Sequence, residues 1–228
     1  MGIKPTKAQL EIACFTMSSA LIAQKNGADR VEFCDGILVG GITPDSGATE
    51  LLVSSFAIDL FVMIRPRGGN FVYAESEFDQ MKSDIIKFKK MGVSGFVFGI
   101  LNEDNTINKN QNKELVDLAH PLPCTFHRAF DEVTHSIQAL EDIIQCGFTT
   151  ILTSGQVPNV VEGVDQLARL VEAADKRITI MPGGGLRSSN IEFIQQKTQA
   201  TFFHSSAIID EGELPNPNEI VALKSKLQ

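Results

Sequence analysis

The sequence is short of the features that mark several large classes of protein. It has no tryptophan and one tyrosine, and its formal net charge is −8 with no long basic run. That charge balance argues against a nucleic-acid partner. No apolar stretch reaches the roughly 18 residues that a membrane helix needs, so we expect no membrane partner either. What remains is a chain of 228 residues that is 43% hydrophobic, enough to bury a core.

Cysteine is also scarce. The chain has four cysteines, and none forms the C-x-x-C pair of zinc ribbons and thioredoxin-like motifs. Residues 1–6 lack the apolar core of a secretion signal. They match a loose myristoylation pattern through Gly2 and Thr6, but we interpret residues 1–9 as a flexible start. Together these features predict a reducing, cytoplasmic location.

The motifs of several enzyme classes are missing as well. The chain contains no G-x-G-x-x-G, no Walker loop and no H-E-x-x-H, so no nucleotide cofactor is predicted. No lysine lies at the end of a predicted strand, which removes the nucleophile of a Schiff-base aldolase.

What the chain does have is a repeated pattern. Short apolar runs end in a charged or reactive residue and alternate with helical segments such as 76–91 and 136–146. Eight such strand–helix units predict one parallel sheet closed into a TIM (β/α)8 barrel, a single domain over residues 1–228. The last unit is short or irregular: residues 210–218 read as loop, and 210–228 as a tail with a short helix. We expect an exposed barrel flank there, which favours a homodimer or higher homo-oligomer.

Strand parity predicts which side chains point into the barrel, because alternate residues face opposite ways. Glu32 and Cys34 share the inward face of the second strand, and Glu11 faces inward on the first, which turns Cys14 toward the helices. Arg65 on the third strand also faces inward. Two interpretations of the carboxylates stay open, a structural Glu–Arg network and a functional site.

Strand ends in such a barrel meet at one mouth, where barrel enzymes keep their chemistry. Arg65, Arg67, His127 and Arg128 fall at strand ends. The glycine turn Pro182–Gly185 precedes a helix, and its N–H groups can turn toward an anion. The residues predicted to bind an anion are therefore Arg65, Arg67, Gly183, Gly184, Gly185, Ser205 and Ser206. His127 and His204 with Glu11 and Glu32 could alternatively hold a divalent metal.

Five segments, in order, closely resemble the CutC family, the copper homeostasis proteins. They are Met63–Gly69, Thr125–Asp131, Ile151–Gln156, Ile180–Gly185 and Phe203–Ala207. The resemblance extends from Leu10 to Ala207. It implies a TIM barrel, a cytoplasmic homo-oligomer and a role in copper handling through Cu(I) binding.

The resemblance also implies a Cu(I) site, since Cu(I) prefers soft thiolate ligands. Relatives often carry one cysteine two residues after the first-strand glutamate and another at the end of the second strand. Here the second is kept as Cys34, but Ala13 occupies the first position and Cys14 follows it. The metal-ligand candidates are therefore Cys34 and Cys14, and Cys14 needs a bulge near Phe15 to turn inward.

The arginines at the mouth suggest a rival function, because they would repel a cation and attract an anion. The alternative is an enzyme or binder for a small metabolite that bears a phosphate or a carboxylate. For an enzyme, the candidate catalytic residues are Glu32, His127, Arg128 and Asp131, with Glu32 or His127 as general acid or base. A third reading is a scaffold without small-molecule chemistry, and fold alone does not choose among the three.

Overall fold

The structure, a computed structural model, describes residues 8–227. The predicted myristoylation pattern of residues 1–6 lies outside the described residues. The predicted flexible start extends too far, since Ala8 is buried and Gln9 already begins the first strand.

Within residues 8–227, eight strands and eight α-helices alternate, as the repeat predicts. The strands are β1 Gln9–Cys14, β2 Arg30–Phe33, β3 Asp59–Met63, β4 Gly95–Phe98, β5 Cys124–Phe126, β6 Thr150–Thr153, β7 Thr179–Pro182 and β8 Phe202–Ser205. The helices are α1 Met17–Lys25, α2 Ser46–Ser55, α3 Glu75–Met91, α4 Lys109–Ala119, α5 Ser136–Cys146, α6 Val164–Ala174, α7 Ile191–Thr198 and α8 Pro217–Ser225. The fold is the predicted TIM barrel.

All pairings in the sheet are parallel, in the order β7-β6-β5-β4-β3-β2-β1-β8. β7 and β8 lie side by side, but within residues 8–227 no ladder of hydrogen bonds joins them. We call this interval the seam. It lies directly below the glycine turn, which follows β7.

The interior of the barrel follows the predicted parity. On β2, Val31 and Phe33 pack outward with the helices, while Glu32 faces the cavity inside the barrel. Gly95 on β4 is required by packing, because a Cβ there would lie 2.4 Å from the ring of Phe61. The large Phe61 ring can therefore occupy the lower part of the barrel.

The C-terminal unit is more regular than predicted. Residues up to 218 were expected to form a loop because of two prolines, yet α8 begins at Pro217, with Asn216 capping its first turn. Proline is tolerated at that position since its missing N–H would have no helical partner. Ile220 and Leu223 are buried, Lys224 pairs with Asp29, and the helix packs on α1 and β1. The expected exposed flank is therefore covered, and the homo-oligomer stays a prediction.

None of the helices formed by residues 8–227 combines the length and the apolar character that crossing a bilayer requires.

Candidate functional site

A cavity of about 220 Å³ opens at the carboxyl ends of the strands. Its walls come from strand ends and from the loops that follow β2, β3, β5, β7 and β8. Among the lining residues are Glu32, Cys34, Met63, Arg65, His127, Arg128, Gly184, Gly185, Arg187, His204, Ser205 and Ser206. Most of the predicted site residues therefore meet there.

Charged residues form the floor beneath this cavity. Glu11 is fully buried and accepts hydrogen bonds from the Arg30 guanidinium and from Nδ1 of His204, the latter at 2.7 Å. The Arg30 guanidinium lies 3.9 Å from the centre of the Phe61 ring and 4.2 Å from that of Phe202. Stacking between two aromatic rings stabilises a buried guanidinium. We call Glu11, Arg30 and His204 the floor network.

The floor network holds its carboxylate ionised. Burial alone would raise the pKa of Glu11, but the positive charge of Arg30 and the hydrogen bond from His204 lower it to about 2. For His204, burial alone would lower the pKa. The hydrogen bond to Glu11 and the nearby charge of Glu32 outweigh burial, so the pKa of His204 is raised. For Glu11, the structural interpretation of the inward carboxylates fits the geometry.

Glu32 lies on the next strand in a different environment. Its Oε1 is buried without a hydrogen-bond partner among residues 8–227, and its Oε2 lies 3.9 Å from Nε2 of His204. Burial, opposed by the His204 charge and reinforced by that of Glu11, raises the pKa of Glu32 to about 7. A carboxyl group with such a pKa can both take and return a proton near neutral pH.

His127 faces the cavity from the end of β5. Its Nδ1 accepts the N–H of Ala129 at 3.3 Å, which assigns the ring proton of the neutral imidazole to Nε2. That Nε2 is buried without a partner in the described part of the chain. Burial and then the charge of Arg65 lower the pKa of His127 to about 3, so the ring is neutral and Nε2–H is a free donor.

The glycine turn forms one wall. Gly184 has φ +104°, and a Cβ there would lie 3.2 Å from the Arg128 guanidinium carbon, so glycine is what lets that side chain lie against the turn. Within residues 8–227 the N–H groups of Gly184 and Gly185 find no acceptor. Gly183 instead donates its N–H to the Thr153 carbonyl at 3.0 Å and is not part of the lining.

Two arginines extend this wall. Arg128 bonds Asp131 and Ser154 through Nε and Nη2, at 2.8 and 2.9 Å, and its side chain remains 45% exposed. Arg187 bonds the carbonyls of Leu186 and Ile208, both at 2.8 Å.

Ser205 and Ser206 complete the wall at the end of β8. The Ser205 hydroxyl is engaged, since it donates to the Leu186 carbonyl at 2.8 Å and accepts the N–H of Ala207 at 3.0 Å. We call Gly184, Gly185, Arg128, Arg187 and Ser206 the anion wall.

The two arginines after β3 are occupied by the protein itself. Arg65 donates to the carbonyls of Val39, Gly41 and Gly69 at 2.8–2.9 Å, which leaves only its buried Nε without a partner in the described chain. Arg67 pairs with Glu77 and bonds the Val72 carbonyl.

Arg67 does not line the cavity. We therefore assign it no anion. Both arginines hold their loops in place.

Asp131 anchors two strand ends. Its carboxylate accepts the N–H groups of Ser154 and Gln156 at 3.1 Å, the Thr153 hydroxyl, and Arg128. It does not line the cavity. Its geometry suits positioning of Arg128 rather than contact with a ligand.

The two cysteines lie on different sides of the sheet. Cys34 lines the cavity, whereas Cys14 belongs to the core between sheet and helices, as parity predicts; the bulge near Phe15 that would turn it inward is absent from β1. Burial, followed by the charge of Glu32, raises the pKa of the Cys34 thiol well above its ordinary value. The residues do not fit a two-thiolate Cu(I) site.

The divalent-metal alternative also lacks a ligand set. In the described chain, residues 8–227, no group of three or more His, Cys, Asp or Glu side chains is arranged to hold a metal ion. His204 and Glu11 instead bond each other.

Sequence reasoning missed three residues. Arg30 shares the parity of Glu32, and Arg187 follows the glycine turn by two positions, so both could have been found by the rules already applied. Met63 shares the parity of Arg65, but a methionine inside a barrel carries no signal beyond ordinary packing.

Comparison with known proteins gives a consistent picture. The family model described as "CutC family" matches residues 8–209. The human "Copper homeostasis protein cutC homolog" is 44% identical over 198 residues, which cover 87% of this chain and 72% of the relative.

Solved structures agree. That of the putative copper homeostasis protein CutC from Streptococcus agalactiae has a TM-score of 0.83 at 32% identity, covering 87% of this chain and 98% of that one. Phosphoribosyl anthranilate isomerase from Thermotoga maritima has a TM-score of 0.63 at 11% identity, covering 96% and 98%, a likeness of fold alone.

Proposed function

The chain belongs to the CutC family, and from that premise we propose that it serves in copper homeostasis and that its barrel mouth binds a small anionic metabolite bearing a phosphate or a carboxylate. The copper role is supported by the names of the human and mouse relatives, both 44% identical to this chain. The anionic ligand is supported by the cavity.

One observation carries the anionic ligand: three hydrogen-bond donors without an acceptor within residues 8–227 belong to residues that line the mouth. The N–H groups of Gly184 and Gly185 and the Nη1 group of Arg128 find no acceptor within residues 8–227, and all three residues line one cavity. Backbone N–H groups in a glycine turn, joined by guanidinium groups, are a general recipe for binding phosphate or carboxylate.

The volume of the cavity and the charge of its lining residues narrow the range of possible ligands further. A volume of about 220 Å³ is below the usual range of roughly 300–1,000 Å³ for drug-sized ligands, which favours a small metabolite over a nucleotide. The protein is acidic overall, at −8, yet three arginines line this cavity, Arg65, Arg128 and Arg187. That arrangement attracts a small anion.

Isothermal titration calorimetry with inorganic phosphate tests this proposal. We expect saturable one-site binding that weakens at least about tenfold in Arg128→Gln, because a charge-assisted bond contributes roughly 1.5–3 kcal/mol. Arg177→Gln is the matched control, since Arg177 pairs with Glu141 on the outside of the barrel. Absence of phosphate, sulfate and acetate binding, or equal losses in both variants, would rule the proposal out.

Cu(I) binding is a second candidate, favoured by a specific observation. The Cys34 sulfur and the Met63 methyl group each lie within 3.5 Å of the point that a Cβ on Gly41 would occupy, so two soft side chains line one part of the cavity. Thiolate and thioether ligands select Cu(I). The buried thiol must lose its proton first, and its raised pKa opposes that.

Anaerobic Cu(I) titration against a competing chelator tests this candidate. Stoichiometric binding that is lost in Cys34→Ser and kept in Cys14→Ser would support a site at Cys34 and Met63. Binding that Cys34→Ser leaves unchanged would remove copper from the cavity. The cytoplasmic location and the homo-oligomer remain expectations, and analytical ultracentrifugation checks the second.

A further inference from the structure

Two residues that line the cavity, Glu32 and His127, each have a buried polar atom without a partner, and the two atoms are of complementary kind. Oε1 of Glu32 is an acceptor without a donor, and Nε2 of His127 is a donor without an acceptor, within residues 8–227. Leaving such a group unpaired costs roughly 1–3 kcal/mol. Both residues line the same cavity, one from β2 and the other from the end of β5, three strands around the barrel. A ligand between them would satisfy both atoms.

The anion wall fixes where that ligand lies. It rises from the ends of β7 and β8 and from Arg128 beside Gly184. A molecule whose phosphate contacts this wall therefore extends its remaining atoms into the space between Glu32 and His127. The part of the ligand in that space must offer a hydrogen to Glu32 and an oxygen to His127.

We infer that the cavity catalyses proton transfer between the two adjacent carbons of a small phosphorylated α-hydroxycarbonyl compound, with Glu32 as the acid–base group and His127 as the donor to the carbonyl oxygen. This inference rests on the proposed anion binding and names the class of substrate that the anion wall would hold. It assigns the reaction to the class of aldose–ketose isomerisations.

The step balances without a further reactant. The Glu32 carboxylate takes the proton from the carbon that bears the hydroxyl group, and that C–H electron pair forms a carbon–carbon double bond. The π electron pair of the carbonyl group moves to the carbonyl oxygen, which accepts a hydrogen bond from Nε2–H of His127. Glu32 then returns the proton to the former carbonyl carbon, while the hydroxyl proton passes to the other oxygen through the imidazole. Substrate and product have the same oxidation level.

The protonation states fit these roles. A neutral imidazole donates a hydrogen bond to a developing enediolate, and a carboxylate opposite serves as the base, a pairing that enzymes use for enolisation. Burial and then the Arg65 charge keep the pKa of His127 at about 3, so the ring stays neutral. The pKa of Glu32, raised by burial to about 7, allows it to act in both directions.

His204 is a positioning residue in this scheme. Glu11 holds its Nδ1 at 2.7 Å, so its Nε2 points toward Oε2 of Glu32 at 3.9 Å. The charged groups that face Glu32 are thus His204 from β8, Glu11 from β1 and Arg30 from β2 itself. Together they leave Oε1 as the oxygen that is free to receive a proton.

Exchange of carbon-bound hydrogen in D2O tests the inference. The probes are dihydroxyacetone phosphate, erythrose phosphate and ribose phosphate, each followed by proton NMR at the carbon beside the carbonyl. We expect exchange with the wild type, a loss of at least about 100-fold in Glu32→Gln, and at least about tenfold in His127→Gln. Glu114→Gln, on the exposed face of α4, is the matched control and should exchange like the wild type.

Phosphate affinity, measured on the same variants, distinguishes a failure of the isomerase inference from a failure of the proposed anion binding. Phosphate binding without exchange of any probe would overturn the isomerase inference and leave the anion site standing. Failure to bind phosphate would overturn the proposed function itself. If Glu32→Gln does not fold, the wild-type pH profile decides: the exchange rate should rise through about pH 7 as Glu32 ionises, and a flat profile would contradict the assignment.

Discussion

Two glutamates lie inside the barrel on adjacent strands, and their surroundings differ. Glu11 on β1 accepts hydrogen bonds from Arg30 and His204 on both of its oxygens, while Oε1 of Glu32 on β2 has no donor within residues 8–227. The charge of Arg30 and the bond from His204 outweigh burial and hold the pKa of Glu11 at about 2, whereas burial raises that of Glu32 to about 7.

Burial and strand position therefore do not separate a structural charge from a functional one. Both carboxylates face inward, and both are almost inaccessible to solvent. What separates them is whether the protein satisfies them, because buried polar groups are normally hydrogen-bonded and each exception needs an explanation. Two arginines at the mouth differ in a related way: both Nη groups of Arg65 donate to carbonyls, whereas Nη1 of Arg128 has no acceptor within residues 8–227.

The largest effect should come from removing the satisfied carboxylate. Glu11→Gln leaves Arg30 and His204 without their counter-charge in the core, and breaking a buried pair in this way costs about 3–5 kcal/mol in the free energy of unfolding. At pH 5, where the folded protein keeps Glu32 protonated, the isosteric Glu32→Gln should change that free energy by less than about 1 kcal/mol, because no charge is removed. Urea denaturation measures both, and equal losses would abolish the distinction.

The next effect is in the pH dependence of stability. The folded-state pKa of Glu32 is raised from 4.5 to about 7, so the folded protein holds that proton more tightly. Its contribution to stability is fully present below about pH 4.5 and is lost as pH rises through about 7. Glu32→Gln should flatten this decline by an amount on the order of 2 kcal/mol.

Denaturation of wild type and Glu32→Gln at pH 5 and pH 8 provides the measurement. Glu114→Gln should keep the wild-type slope, because Glu114 lies on the surface. His204 also has a raised pKa and contributes a decline of the same sign, which remains in Glu32→Gln. Parallel curves for wild type and Glu32→Gln would show that the folded state does not protonate Glu32 preferentially.

The two loop arginines offer a smaller contrast. Arg65→Lys replaces a buried guanidinium group, which donates to carbonyls in two loops, by a single ammonium group. The buried carbonyls left without a donor should lower the free energy of unfolding by about 1–3 kcal/mol. Arg67→Lys affects a side chain that is 38% exposed, so about 0–1 kcal/mol is expected. Thermal unfolding of both variants checks the order, and a larger loss for Arg67 would reverse it.

The smallest effect should come from Cys34. Among the described residues its thiol bonds only the Cys14 carbonyl, at 3.7 Å, and it is not part of the anion wall. Cys34→Ser should therefore leave phosphate affinity within about twofold of the wild type. Cys14→Ser is the matched control on the other side of the sheet, and a large loss in Cys34→Ser alone would join the thiol to the anion site.

Sequence reasoning reached the fold and part of the site for identifiable reasons. Period-two parity follows from strand geometry, so Glu11, Glu32 and Cys34 were placed inside and Cys14 outside correctly. The helix 136–146 was predicted to the residue, because Gly147 ends it at a positive φ of +93°.

Loop geometry was not accessible in this way. That Arg65 would bond the carbonyls of Val39, Gly41 and Gly69 depends on where two loops meet in space, and the anchoring of strand ends by Asp131 depends on the neighbouring strand. A residue at a strand end was thus correctly placed near the mouth, but its role there was decided by partners distant in sequence. Arg67 shows the consequence, since its donors turn to Glu77 and away from the cavity.

The seam between β7 and β8 implies that a ligand bound at the anion wall would also stabilise the barrel. One interval of the barrel is closed by packing alone, with no backbone ladder across it in residues 8–227, and the wall stands above that interval, with Gly184 on one side and Ser206 on the other. An anion that contacts both sides would link the ends of β7 and β8 across the interval that lacks backbone hydrogen bonds. At a concentration 100 times its dissociation constant it adds about 2.7 kcal/mol to stability, and the amides of the seam should be the first to slow their hydrogen exchange.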